Sequence, residues 1–131
     1  MLHKMHNALS NGQVASLYFH LDRGRRFTDG YRYDCWEVGF VVGDHRSLNN
    51  RWWKGRTKLY DGKSTGKCGL EALIWAKNAI LAFMSRRESD VYQYMVVRHA
   101  DERRGRVYKR LLREDFVAGV HDEEPVLMKA F

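Results

Sequence analysis

Proline and cysteine are scarce in this chain, and the shortage of cysteine excludes two kinds of site. The 131 residues include one proline and two cysteines, Cys35 and Cys68, which are far apart in the sequence. A disulfide framework or a cysteine-rich zinc site needs more cysteines at closer spacing, so we expect both thiols to be reduced. The six histidines are scattered, with no pair four residues apart. We therefore predict that the protein holds no metal.

Long hydrophobic runs are also absent. The longest apolar stretch lies within residues 70–84, and Glu71, Lys77 and Asn78 interrupt it. A membrane-spanning helix needs about 20 consecutive apolar residues, so this stretch is too short. The N-terminal residues become polar at Asn7 without forming an apolar signal region. We predict a cytoplasmic protein with no membrane contact.

Acidic residues are outnumbered by basic ones. There are 16 Asp and Glu against 23 Lys and Arg, which gives a net charge of +7. This balance favours an anionic partner, which can be a nucleic acid, a phosphorylated cofactor or an acidic protein face. The apolar fraction of 44% is sufficient for one hydrophobic core at this length. We therefore predict a single domain over residues 1–131.

The hydrophobic patterns predict an α+β fold, with a mainly antiparallel mixed sheet and two long helices. Alternating and β-branched runs predict strands over residues 14–21, 31–42, 91–97, 116–120 and 125–131. Helices are predicted over 70–86 and 101–113, with Lys77 on the solvated face of the first. Residues 43–50 read as a turn-rich connection. Within 31–42, alternation predicts that Glu37 and Gly39 share one face and Val38 and Phe40 share the other.

A glycine-bearing segment, residues 62–69, precedes the first long helix. It does not match a nucleotide-hydrolysing P-loop, because only three residues separate Gly62 from Gly66 and Cys68 replaces the magnesium-binding hydroxyl. A looser phosphate cradle remains open, since backbone N–H groups at a helix start lack partners. A plain loop with solvated lysines is the equal alternative. The residues that would form the cradle are Lys63, Gly66, Lys67, Cys68 and Gly69.

The order of the predicted elements in residues 57–131 resembles the core of the GNAT N-acetyltransferase superfamily. That family carries the motif Arg/Gln-x-x-Gly-x-Gly/Ala, which corresponds here to Lys63-Ser-Thr-Gly-Lys-Cys68, followed by Gly69. Lys63 replaces the usual Arg or Gln, and Cys68 replaces the second small residue. Residues 1–56 are predicted to form divergent N-terminal strands. This segment is short compared with the helices and first strands that open the fold in this family.

A second family motif, Asn-x-x-Ala-x-x-Leu-Tyr, corresponds to the segment from Asp101 to Tyr108. Asp101 takes the Asn position, Val107 the Leu position and Tyr108 the Tyr position, while Arg104 departs from the alanine. The combination also resembles short acetyltransferase-like proteins of bacteriophages. The resemblance implies that Asp101 and Arg104 lie at the cofactor.

The resemblance implies that acetyl-coenzyme A is the cofactor and that an amine of a small molecule or protein is the acceptor. Backbone N–H groups of residues 66–69 would bind the pyrophosphate. Val96 and Val97 would lie where the central strand parts from its neighbour to admit the pantetheine arm. Tyr108 would protonate the leaving thiolate, a role suited to a phenol that stays protonated at neutral pH. Glu37 and Asp61 are the candidate general bases, although a solvated or capping carboxylate is the commoner role for each.

Two other functions remain open. A phage-type interaction protein could keep this fold and bind an acidic host protein. A nucleic-acid-binding module is the third reading, because cations alternate with aromatics in Arg51-Trp-Trp-Lys-Gly-Arg56 and in Arg23-Gly-Arg-Arg-Phe27. A monomer and a homodimer are equally expected.

Overall fold

The computed structural model of this chain describes residues 2–26, 30, 32–55, 66–86, 92–97, 108–121 and 124–131. Its strands are β1 (Leu2–Ala8), β2 (Val14–Arg26), β3 (Arg32–Gly43), β4 (Tyr92–Val97), β5 (Val117–His121) and β6 (Glu124–Ala130). Two helices are α1 (Arg46–Trp53) and α2 (Gly66–Ser85), and a third, α3, is described over residues 108–112. The predicted α+β class is confirmed.

All six strands form one mixed sheet in the order β1-β2-β3-β4-β6-β5. Strands β3 and β4 are parallel, and every other neighbouring pair is antiparallel. A parallel pair needs a crossover connection, and here the chain between β3 and β4 contains α1 and α2. The parallel pair therefore lies between a β1-β2-β3 meander and a β5-β6 hairpin.

The two faces of the sheet are covered by different helices. Tyr18 stacks on Trp53 of α1 at a ring-centroid distance of 5.0 Å, whereas its neighbour Phe19 stacks on Phe83 of α2 at 4.1 Å. Successive strand residues point to opposite faces, so α1 and α2 lie on opposite sides. We call these sides the α1 face and the α2 face. The alternation predicted for β3 is confirmed, because Gly39 lies under Trp53 and Val38 belongs to the core beneath α2.

The prediction of a turn-rich connection over residues 43–50 was wrong, because α1 begins at Arg46. This helix has few apolar residues, so its helical period is weak in the sequence. Tertiary contacts hold it instead. The fully buried Asn49 donates hydrogen bonds to the Val14 carbonyl oxygen at 3.0 Å and to Ser16 Oγ at 2.8 Å.

The prediction of two long helices is also wrong for the described residues. The helix α2 is long, with 20 residues, but α1 has eight and α3 is described only over residues 108–112. The remainder of the predicted second helix, 101–107, lies outside the described residues. Helix α2 begins at Gly66 rather than at residue 70, so Gly66–Gly69 form its first turn.

The main hydrophobic core lies between α2 and the sheet. Phe83 contacts Phe19 face to face and Trp36 edge to face, with a centroid distance of 4.9 Å to the indole. The indole N–H of Trp36 donates to Gln93 Oε1 of β4 at 3.0 Å, so this buried amide is paired. The Phe83 contacts fix α2 across β2 and β3, and the Trp36–Gln93 hydrogen bond joins β3 to β4.

Candidate functional site

The N-terminal end of α2 lies at the carboxyl end of β3. Ala72, near the start of the helix, packs with Val42, near the end of β3, whereas Phe83 contacts Trp36 closer to the start of that strand. The helix therefore runs opposite to β3 and β4. Crevices at the carboxyl ends of parallel strands commonly bind ligands, and unpaired N–H groups at a helix start attract anions.

A half-open apolar pocket lies on the α2 face at this end of the parallel pair. Strands β3 and β4 supply one wall, α2 a second, and α3 a third. Almost none of its lining surface is polar. The residues that line it are Val38, Phe40, Leu73, Ala76, Lys77, Ile80, Val97, Tyr108, Leu111 and Leu112.

Tyr108 and Val97, two of the residues predicted for the site, both line this pocket. Val97 is the last residue of β4, and Tyr108 is the first described residue of α3. The ring of Tyr108 meets the ring of Phe40 edge to face, with centroids 6.3 Å apart, and its side chain is 8% exposed. Tyr108 is thus fixed by packing against the wall of the pocket.

Glu37 and Val96 are not at this pocket. In the sheet register Glu37 pairs with Val96, and Val96 is buried with Cys35 in a separate cluster away from α2. Both side chains therefore point to the α1 face, with the sheet between them and Tyr108. The structure does not bring Glu37 together with Tyr108.

The predicted phosphate-binding residues are only partly described. Gly66, Lys67, Cys68 and Gly69 form the first turn of α2, which keeps their N–H groups at a helix start. The side chains of Lys67 and Cys68 are not among the described features. Lys63, Asp101 and Arg104 lie outside the described residues, as do residues 57–61, which include the second candidate base, Asp61.

Lys77 is a pocket residue, although the sequence pattern predicts that it lies on the solvated face of the helix. It is half-buried, and with Leu73 and Ile80 it forms the α2 wall of the pocket. The spacing of these three residues is that of one helix face, which is the sequence signal that identifies it. A long aliphatic stem allows lysine to lie along apolar surface while its ammonium group reaches water.

The tryptophans of the cation-aromatic segment are half-buried and pack between α1 and the sheet. Trp53 stacks on Tyr18 and fills the space above Gly39, and Trp52 lies with its ring centroid 6.4 Å from that of Tyr18. Both rings are used in packing α1, so neither is presented as an open stacking platform for bases. The neighbouring cations Arg51 and Lys54 are exposed.

A polar network that the sequence did not reveal lies under α1. His6 Nδ1 is 2.6 Å from Ser16 Oγ, and the Tyr18 hydroxyl donates to Asn50 Oδ1 at 2.8 Å. Burial, and then the positive charges of Arg46 and Lys4, lower the pKa of His6. Ser16 is fully buried, so its hydroxyl is inaccessible to a substrate, and the contact with the half-buried His6 is structural.

Neither a metal centre nor a membrane span emerges from the part of the chain that the structure describes. No three histidine, cysteine or acidic side chains there converge as metal ligands. None of the helices there is long and apolar enough to cross a membrane. The chain matches no protein-family model, no curated protein and no solved structure.

Proposed function

We propose that this protein is an acetyl-coenzyme A-dependent N-acyltransferase, which transfers an acetyl group to an amine of a small molecule or protein. One observation carries the proposal. Val97, which the family resemblance assigns to the pantetheine arm, and Tyr108, which it assigns to the sulfur, line the same apolar pocket, although they lie on different elements. Neither sequence motif alone requires these two residues to line the same pocket.

The position of α2 supports the same ligand. Its first turn supplies backbone N–H groups for a pyrophosphate, and the pocket begins farther along the helix at Leu73. The axial distance from Lys67 to Lys77 is about 15 Å, given a rise of 1.5 Å per residue. A pantetheine arm can cover such a distance, so one molecule can contact both sites.

The polar part of that arm needs a place outside the pocket. Amide groups need hydrogen-bond partners when they leave water, and the apolar pocket provides almost none. We therefore place the acyl group in the pocket and the amides of the arm outside it.

In this arrangement Tyr108 is the proton donor to the thiolate. An attacking amine would displace the coenzyme A thiolate from the thioester carbonyl carbon, and the Tyr108 phenol would donate a proton to that thiolate and recover one from water. The attacking amine must first lose a proton. Glu37 is excluded as a direct acceptor of that proton, since it points to the α1 face.

A second candidate function is the binding of an acidic protein. The exposed cations Arg46, Arg51 and Lys54 of the α1 segment favour it, because no acidic residue stands in the first turn of this helix. Substitution of Tyr108 should not change the affinity for such a partner, because Tyr108 lies on the opposite side of the sheet.

The proposal is tested by the melting temperature of the purified protein in acetyl-coenzyme A. At about 100 times the dissociation constant, a ligand adds about 2.7 kcal/mol to the free energy of unfolding, which is a rise of several degrees. Gly69→Val should abolish the rise by obstructing the first turn of α2. Ser85→Val, at the exposed far end of the same helix, should preserve it. No rise with millimolar ligand would refute the proposal.

Turnover separates the chemistry from binding. Tyr108→Phe should retain the rise in melting temperature but lower turnover about 100-fold or more, because it removes only the proton donor. Tyr94→Phe is the matched control. Tyr94 lies against Tyr33 away from the pocket, so its change should leave turnover unaltered.

A further inference from the structure

Strand β1 is an edge of the sheet and carries basic residues on one face. In the part of the chain that the structure describes, β1 pairs with β2 alone. The register aligns Lys4 with Tyr18 and His6 with Ser16, so Lys4 and His6 lie on the α1 face. An edge strand presents a row of backbone N–H and C=O groups that can pair with another strand. The outer side of β1 therefore combines backbone hydrogen-bonding groups with an exposed lysine.

Arg46, the first residue of α1, adds a second exposed charge at the same place. Asn49, one turn after Arg46, donates to Ser16 Oγ at 2.8 Å, and Ser16 Oγ is 2.6 Å from His6 Nδ1. After burial, the positive charges of Arg46 and Lys4 lower the pKa of His6, so both charges lie near its ring. Lys4, His6 and Arg46 thus form one basic group beside the edge strand, which we call the β1 cluster.

The other face of β1 exposes an apolar side chain. Met5 is 37% exposed, and it lies on the α2 face because it pairs with Leu17 of the main core. A strand added to β1 would direct alternate side chains to the two faces of the sheet. One set would meet the β1 cluster, and the other would meet Met5. Carboxylates suit the first set and apolar side chains suit the second.

A second copy of the chain does not suit this edge. An antiparallel second β1 centred on Met5 would place Lys4 opposite His6 of the other copy and would bring two β1 clusters together. Like charges directly opposite one another destabilise a strand pair, and lysine on an edge strand commonly prevents self-pairing. Each copy also carries a net charge of +7. The charges that oppose a second copy attract an acidic strand.

We propose that the outer edge of β1 binds an extended acidic segment of a partner protein, which adds a strand to the sheet and places its carboxylates at the β1 cluster. This inference rests on the second candidate function, acidic-protein binding, and does not depend on acyl transfer. Main-chain hydrogen bonds to β1 supply affinity, and the alternating side chains supply specificity. The segment that fits has acidic residues at every second position and apolar residues between them.

The test measures the fluorescence anisotropy of a labelled peptide of alternating Glu and Val, equal in length to β1. A peptide of alternating Lys and Val is the charge-reversed control. The Glu-Val peptide should bind, and more weakly as salt is added, whereas the Lys-Val peptide should not bind. Lys4→Gln and Arg46→Gln should each weaken binding about 3- to 5-fold, which is the loss of one exposed ion pair. Lys109→Gln removes the same charge from α3 and should leave the affinity unchanged. Equal binding of the two peptides would refute the proposal.

Amide hydrogen exchange separates strand addition from simple charge attraction. The Glu-Val peptide should slow exchange at the alternate β1 amides that point away from β2, and it should leave β5 unchanged. If the peptide binds without this protection, and Arg51→Gln weakens binding as much as Lys4→Gln, strand addition is refuted and acidic-protein binding through α1 stands. If millimolar Glu-Val peptide changes neither anisotropy nor exchange, both are refuted. The melting temperature in acetyl-coenzyme A tests acyl transfer separately, because the apolar pocket lies on the α2 face.

Discussion

Gly39 is the residue at which the sheet accommodates a tryptophan. A Cβ atom added there would lie 2.6 Å from Cε3 of Trp53 and closer still to Cζ3, and an indole is too rigid to yield. Gly39→Ala should therefore lower the free energy of unfolding by about 1–3 kcal/mol, measured by urea denaturation. Gly119→Ala is the control, since its Cβ would meet the flexible end of Met128 and should cost less. Equal losses would contradict this explanation.

His6 should make stability depend on pH. Its pKa is lowered from 6.5 by burial and then by Arg46 and Lys4, so the folded state binds fewer protons than the unfolded state between the two pKa values. Stability should consequently fall as the pH drops below 6.5, and level off below the folded pKa. Ser16 Oγ and the Tyr18 ring face the same imidazole. His6→Gln should flatten this part of the profile in denaturant titrations at several pH values; an unchanged slope would contradict the assignment.

At the scale of elements, one carboxylate links the first hairpin to α2. Glu71 accepts hydrogen bonds from the Ser10 backbone N–H at 3.1 Å and from Ser10 Oγ at 2.7 Å. Glu71→Ala should cost about 1 kcal/mol and accelerate hydrogen exchange at the Ser10 amide. Glu71→Gln retains one acceptor oxygen and should show a smaller effect. If the Ser10 amide still exchanges slowly in the alanine variant, the turn between β1 and β2 is stable without Glu71.

The elements that the sequence predicted well are those with a strong period. The bounds of β3 were predicted to within one residue at each end, and α2 carries apolar residues along its full length. Strand β2 was predicted only to residue 21, whereas it continues to Arg26. Strand β1 escaped prediction because it is an edge strand with exposed polar residues such as Lys4. Helix α1 escaped because the partners that stabilise it, Tyr18 and Ser16, are distant in sequence.

The candidate site was likewise predicted only in part from the sequence. Alternation along β3 correctly separated Glu37 from Val38, but it could not indicate which face α2 would cover. That choice is made by tertiary packing of Phe83 between Phe19 and Trp36. Glu37 was therefore paired with Tyr108 in the predicted site, whereas Lys77 was assigned to solvent.

For the whole molecule, the outer hairpin contributes to the core through one of its strands only. On β5, Val117 and Val120 are 69% and 70% exposed, whereas Val126 on β6 is 2% exposed. Val126→Ala should cost about 2 kcal/mol, because two buried methyl groups are lost. Val120→Ala should change the free energy of unfolding by less than about 0.5 kcal/mol. Thermal or urea denaturation of the two variants makes the comparison, and similar losses would mean that β5 is covered in solution.

The parallel pairing of β3 with β4 also has a kinetic consequence. Trp36 of β3 pairs with Met95 of β4, which is distant in the sequence. The pairs β1-β2, β2-β3 and β5-β6 join strands that are consecutive in the chain. Distant pairings close late in folding, because a long loop must be ordered first. Val38 and Phe40 come from the early-forming meander, and Val97 and Tyr108 come from the second half. The pocket therefore assembles last, and a ligand that bridges its walls should slow unfolding without accelerating folding.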